Sequence, residues 1–190
     1  MKRSLFNDEH LMFRDAVRRF VEKEVTPHHD QWEKDGIVPR ELWLKAGELG
    51  FLAMDVPEQY GGLGLADFRY NVVLTEELTR AGASGVGFGL HNDIALPYFL
   101  TYGTEEQKQR WLPAIASGEI IAAFGITEPD AGSNSHKITT TASRDGDSWV
   151  LNGRKVFISG VDEADVVLIV ARTEDAKTGK LKPALFMVPT

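Results

Sequence analysis

Residues 122–135 read Ala-Ala-Phe-Gly-Ile-Thr-Glu-Pro-Asp-Ala-Gly-Ser-Asn-Ser, and residues 152–160 read Asn-Gly-Arg-Lys-Val-Phe-Ile-Ser-Gly. In the first, a short apolar run stops at a hydroxyl, Thr127, and turns through Pro129 and Gly132 into small polar residues. In the second, an apolar run returns from an Asn-Gly turn signal and ends at another hydroxyl, Ser159. Runs this short, bounded by turn residues, read as strands rather than helices. Two strand ends that each present a hydroxyl beside backbone N–H groups suit a flat polar ligand with an anionic tail.

The strand pattern extends outward from there. Residues 120–127 read as a buried strand, and 138–143 alternate threonines with small residues. Asp145-Gly146-Asp147 makes a turn before a strand at 149–151, and 155–159 returns from Asn152-Gly153. Residues 166–171 and 184–188 are two further strands, joined by a polar loop over 173–182. The spacing predicts an antiparallel β-sheet or barrel domain over residues 120–190. The sequence stops directly after a strand, at Val188-Pro189-Thr190, and an open edge with an uncovered apolar face is a liability. The β domain therefore reads as incomplete at residue 190, to be completed by further polypeptide or by a partner chain.

Before residue 120 the period is helical. Leu11, Phe13, Val17, Phe20, Val21 and Val25 recur behind a cap at Asn7 or Asp8, and Pro27 stops the helix. Pro39 stands at a first helical position and Gly50 at a C-cap, with Leu42, Ala46 and Leu49 as the buried stripe between them. Residues 55–65 hold three glycines and a proline, which make a shaped structural loop; no Lys-Ser or Lys-Thr pair follows to make it a phosphate cradle. A third helix covers 67–80. The next segment, 86–102, carries Asp93 as its only formal charge and reads as a helix that is buried or lines an apolar cavity. Its Gly-x-Gly-x-Gly spacing fails the dinucleotide fingerprint. Thr104 and Gln107 form a capping box for a helix over 105–116, where Pro113 predicts a kink or an early stop. Residues 1–119 are thus an α-helical bundle, and helices followed by strands give an α+β architecture.

Composition narrows the function. The 190 residues are 43% hydrophobic and 26% charged with a net charge of −7, enough for a real core and the wrong sign for a nucleic-acid or membrane surface. Arg14, Arg18, Arg19 and Lys23 are interleaved with acids and read as a solvated helix face. There is no cysteine, which excludes a disulfide framework, a thiol nucleophile and cysteine-ligated metal. No apolar run reaches membrane-spanning length and the N-terminus lacks a signal-peptide core, so a cytoplasmic protein is expected. His28-His29-Asp30 has no further ligands nearby and does not read as a metal site.

No catalytic set emerges. No Gly-x-Ser-x-Gly elbow supports a serine nucleophile. Glu128 and Asp130 flank Pro129, so their side chains diverge, and carboxylates in such turns bond to solvent or backbone. Taken singly, Thr127, Ser133, Phe157 and Ser159 are ordinary strand and turn residues. Together they offer two hydroxyls to a heteroaromatic edge, an aromatic ring to flank it, and a Gly132-Ser133 turn for a pyrophosphate.

At these residues the sequence resembles the acyl-CoA dehydrogenase family, most like its long-chain branch. Residues 127–133 are similar to the Thr-Glu-Pro-x-Ala-Gly-Ser signature, and residues 152–159 to the Asn-Gly-x-Lys signature that continues into a ring-flanking strand. Pro57-Glu58-x-Tyr60-Gly61-Gly62-Leu63-Gly64 and Gly103-x-Glu105-Glu106-Gln107-Lys108 match N-terminal landmarks of the family. The resemblance covers essentially the whole chain. It implies an oxidoreductase of fatty-acid metabolism, a flavoprotein with FAD as cofactor, acyl-CoA as substrate and an electron-transfer flavoprotein as acceptor. It also implies a homo-oligomer, tetramer or dimer.

Carried over, Phe124, Ile126 and Thr127 meet the isoalloxazine ring. Gly132 and Ser133 lie near the flavin phosphates, with Ser133 also reaching the substrate's thioester arm. Phe157, Ile158 and Ser159 flank the ring from the second strand. The resemblance further implies that segment 86–102 lines the acyl-chain cavity. Position 157 is Phe where many members have Trp, and position 130 is Asp where Gly is usual. The family's catalytic Glu belongs to a C-terminal helical domain, so no base is assigned within residues 1–190. Two other readings share these residues. One is an acyl-CoA oxidase or flavin monooxygenase of the same fold, and the other a non-catalytic half-subunit needing a partner chain.

Overall fold

Asn7 starts the first helix: its Oδ1 accepts the His10 N–H at 3.1 Å, and the His10 ring bonds back to the Asn7 N–H. In the computed structural model, which describes residues 4–190, the chain forms two units, Met1–Ile121 and Ala122–Thr190. The first holds α1 (Asp8–Phe20), which runs on as a π turn over Val21–Val25, then α2 (His29–Asp35) and α3 (Arg40–Glu48). These are followed by α4 (Arg69–Arg80), a second π turn (Leu90–Ala95) leading into α5 (Leu96–Tyr102), and α6 (Glu105–Ser117). Val17, Phe20, Val21 and Val25 lie in one buried cluster with Trp43, Phe51 and Phe88. Leu11 and Leu49, placed by spacing in buried stripes, are instead about half exposed, at 48% and 56%. Trp43 fills the core beside Leu42 and Ala46. The 55–65 loop is a close-packed turn, since a Cβ on Gly62 would fall 2.1 Å from the Val56 carbonyl oxygen.

Pro113 does not end α6. It lies on the exposed side of the helix, where water can satisfy the carbonyl its ring leaves unbonded. The other helical proline, Pro97, follows the second π turn, in which the Leu96 N–H reaches back five residues to His91 O. Segment 86–102 is amphipathic rather than apolar all round. His91 and Asn92 point into the core, and Ile94 and Tyr102 are exposed. Asn92 clamps the strained 51–53 turn, accepting from Ala53 N–H at 2.8 Å and donating to Phe51 O at 2.9 Å, where Ala53 has φ 48°. His91 bonds Ile115 O through Nε2 at 3.0 Å.

Arg14 and Arg18 are not a solvated face. Glu77 of α4 is buried, and Arg14, Arg18 and Arg80 converge on its carboxylate with bonds of 2.9–3.0 Å. The α1 and α4 faces thus meet over one carboxylate, because a buried charge is tolerated only with such partners.

The second unit holds β1 (Ala122–Gly125), β2 (Thr141–Asp145), β3 (Ser148–Asn152), β4 (Val166–Glu174) and β5 (Leu181–Pro189) in one sheet. β4 is central and apolar on both faces. β5 runs antiparallel along one whole edge, Val166 opposite Pro189 through Glu174 opposite Leu181. The other edge is shared. β1 pairs parallel with 166–169, and β2 joins further along, where Thr141 meets Arg172 in parallel and the Arg172 N–H bonds Thr140 O at 2.8 Å. The helix-then-sheet order is the expected one, but the sheet is mixed rather than antiparallel and does not close into a barrel. The long excursion between β1 and β4 supplies the crossover that parallel pairing needs.

No strand forms over 155–159. β2 pairs with β3 around Gly146, so Asn152-Gly153 is not a hairpin turn. Gly153 instead lies against Thr140, where a Cβ would sit 2.3 Å from Oγ1. Further along the same segment Phe157 takes the left-handed φ of 56°.

Two acid transitions follow from the buried groups of the helical unit. Burial lowers the His91 imidazole to about 4 against the opposing bond to Ile115 O. Its contribution is complete above the unfolded value, near 6.5, and is lost as pH falls toward 4. The arginine bonds, Arg18 first, hold Glu77 at about 2 against the cost of burial, so its contribution is lost below the ordinary carboxylate range. Denaturant titrations at stepped pH are expected to show His91→Gln removing about 3 kcal/mol of the slope between pH 6.5 and 4. Glu77→Gln is expected to cost about 3 kcal/mol at pH 7 and to flatten the slope below pH 4.5.

Candidate functional site

The residues singled out by sequence lie where β1 ends and the chain turns back. Phe124 and Ile126 pack with Leu185 against Ala131, Ile138 and Val170 on one face of the sheet. Ile158 packs with Ile169 against Ala123, Ala164 and Val167. Alternation along β1 and β4 puts that second group on the opposite face. Phe124 and Ile126 are therefore not brought together with Ile158; they grip the end of β1 from its two sides.

Between the two groups, the backbone of Thr127 meets the returning chain through one bond, Val156 N–H to Thr127 O at 3.0 Å. After Thr127 a tight turn closes over Pro129 and Asp130, with Glu128 and Ala131 exchanging backbone bonds of 2.9 and 3.1 Å. Glu128 is buried and Asp130 exposed, the divergence expected across Pro129. Gly132 and Ser133 are exposed beyond the turn, and a Cβ on Gly132 would meet nothing within 4 Å. Ser159 is exposed at the other end, and the Phe157 ring is 92% exposed. Among the described residues, the hydroxyls of Thr127, Ser133 and Ser159 have no hydrogen-bonding partner. The three hydroxyls and the Phe157 ring are uncommitted, and Thr127 meets the segment that carries Phe157 and Ser159 through the Val156 bond.

The electrostatic anchor of this corner is Glu128, the carboxylate that its turn pattern reads as bonded to solvent or backbone. Its Oε2 accepts from the Thr139 N–H and hydroxyl, both at 2.7 Å. Its Oε1 accepts from the Thr140 N–H at 3.0 Å, from the Thr140 hydroxyl, and from Lys155 Nζ at 2.8 Å. Burial pushes this carboxyl up, but Lys155 and the two threonines outweigh it and hold it well below the usual carboxylate range. A carboxylate so fully engaged is an anchor, not a proton acceptor. Lys155, 10% exposed, also donates to Ile126 O at 3.1 Å. No local signal marks this network, because its members lie 11 to 27 residues from Glu128 in sequence.

Residues 7–119 match the profile of the acyl-CoA dehydrogenase N-terminal domain, and residues 123–190 that of the acyl-CoA dehydrogenase middle domain. The chain belongs to the acyl-CoA dehydrogenase family. It is 49% identical over 181 residues to acyl-CoA dehydrogenase FadE12 of Mycobacterium tuberculosis, covering 93% of this chain and 46% of that one. It is 43% identical over 187 residues to the mitochondrial long-chain specific acyl-CoA dehydrogenase of Sus scrofa, covering 98% and 43%. The chain thus spans about half the length of the curated relatives it matches. Among solved structures, an acyl-CoA dehydrogenase of Bacillus anthracis complexed with FAD superposes with a TM-score of 0.88 at 34% identity, over 100% of this chain and 32% of that one.

In this chain, Phe157 combines two costs, an aromatic ring in water and a side chain at positive φ. Glycine adopts that φ without strain, and no packing is lost with a ring that touches so little. Phe157→Gly is expected to raise stability by about 1 kcal/mol in chemical denaturation, marking the ring as something other than a folding element.

Proposed function

We propose that this chain provides the flavin-facing part of an FAD-dependent enzyme that desaturates acyl-CoA thioesters between the α and β carbons. The observation that carries the reading is the set of uncommitted groups at the end of β1. Thr127, Ser133 and Ser159 keep free hydroxyls, Phe157 presents its ring to solvent, and Gly132 and Gly160 each face open space. These groups fit a flat heteroaromatic ring with a phosphate-bearing tail: donors for the ring edge, an aromatic neighbour, and side-chain-free backbone for close approach. The related Bacillus anthracis protein, solved with FAD, supports the choice of cofactor.

FAD, when bound, supplies a two-electron acceptor for the oxidation of the acyl chain. The chain's own residues bind and orient it. Thr127 and Ser159 donate to the ring edge, Phe157 flanks the ring, and Phe124, Ile126 and Ile158 support the strand ends behind it. Gly132 and Ser133 face the phosphates, with Ser133 also toward the thioester arm of the substrate. In this reading the α-proton goes to a carboxylate outside residues 1–190. Glu128 does not take it, since both its oxygens are engaged in the anchor. The reading includes an electron-transfer flavoprotein as acceptor, a homo-oligomeric assembly, and a reducing, cytoplasmic setting that a cysteine-free sequence suits. Among the described residues no helix is long and apolar enough to cross a membrane.

Thr127→Ala and Ser159→Ala are each expected to weaken FAD binding by about 1–3 kcal/mol, the value of a desolvated hydrogen bond, in flavin titrations of the full-length protein. If both variants bind and reduce FAD as the wild type does, the reading of these strand ends is wrong. Phe157→Gly is expected to lose affinity while gaining stability, a pairing that a packing residue does not produce.

A further inference from the structure

Segment 153–160 belongs to no strand, and its Val156 N–H bonds Thr127 O, two residues past the end of β1. Its position therefore depends on side chains. Lys155 Nζ spans Thr127 on both sides, bonding Ile126 O at 3.1 Å and Glu128 Oε1 at 2.8 Å. Glu128 is itself fixed by Thr139 and Thr140, and Thr140 O accepts the N–H of Arg172 in β4. A continuous line of bonds thus runs from the central strand through Thr140 and Glu128 to Lys155. Two residues beyond Lys155 stands Phe157 in its left-handed conformation, and two beyond that Ser159. A strained residue with an exposed ring holds its place only if its neighbours on both sides are held. On one side the hold is Lys155, and on the other the packing of Ile158 against Ala123 and Val167.

The structure assigns Lys155, through its bonds to Ile126 and Glu128, as the positioning residue that locks segment 156–159 onto the end of β1 and so sets where Phe157 and Ser159 stand. Its consequence for flavin rests on the reading proposed above, whereas the lock itself is testable without any ligand.

The test is native-state amide exchange on the full-length protein, with FAD titration as a second arm. Glu128→Gln with Lys155→Met removes the lock while leaving no lone buried charge, so the sheet is expected to persist. The Val156 amide is expected to lose about tenfold or more in protection while Leu168 and Val170 in β4 stay within about threefold of wild type. Thr139→Val, at an exposed position, loosens only the Glu128 end and is expected to lower Val156 protection by about threefold; it decides the matter if the double variant unfolds. Glu77→Gln, in the helical unit, is expected to leave Val156 relative to β4 unchanged. Protection at Val156 that is unaltered, or that falls only in step with Leu168 and Val170, overturns the lock. In the second arm the double variant is expected to bind FAD about tenfold more weakly, with a shifted visible absorption band. Equal binding despite a loosened Val156 overturns the positioning role. A wild-type protein that binds no FAD overturns the flavin reading instead, and the exchange result then decides the lock by itself.

Discussion

A carboxylate and an ammonium almost removed from water, Glu128 and Lys155, hold the two limbs of the candidate site together. Neither charge is tolerable alone at that depth, so the pair forms only when residues 126–128 and 155 are side by side. Thr139 and Thr140 fill the remaining acceptor positions and tie the pair to β4. Strand pairing contributes little here, since the returning segment 153–160 joins no strand. Geometry that would come from a ladder elsewhere comes from a charged network at this corner.

The helical unit solves a similar problem in a similar way. Glu77 is buried under three arginines from two helices, and His91 and Asn92 each find backbone partners in the core. Shifted titration in this protein therefore reports architecture. Glu128 and Glu77 are held low because both oxygens of each are engaged by several donors, which leaves them no capacity to accept a substrate proton. The groups proposed to face the ligand are neutral: the hydroxyls of Thr127, Ser133 and Ser159 and the Phe157 ring. Under the proposed function they orient a ligand rather than exchange protons with it.

Local signals coincide with the structure. The Asn7 and Thr104 caps, the stop before Pro27, the Gly50 C-cap and the Gly146 turn depend on residues within four positions of each other, and each appears where its chemistry placed it. The central strand announced itself as an apolar run because both its faces are covered. Signals that depend on partner choice were misread. Asn152-Gly153 has hairpin composition, yet β3 already has a partner in β2 and Gly153 is used for close approach to Thr140. Arg14 and Arg18 have the pattern of a solvated face, yet both are tied to a buried carboxylate some sixty residues away.

The sequence by itself determined the order of helices before strands, the caps, the two signatures and the kinds of group at the strand ends, because these rest on local propensity and residue chemistry. Only the tertiary structure decided the mixed pairing of the sheet, the separation of Phe124 and Ile126 from Ile158 on opposite faces, and the left-handed turn at Phe157. It also decided the lock between Lys155 and Glu128. Each of these is a choice among partners distant in sequence, and burial makes that choice by leaving no other place for the charge, the bulk or the unpaired bond.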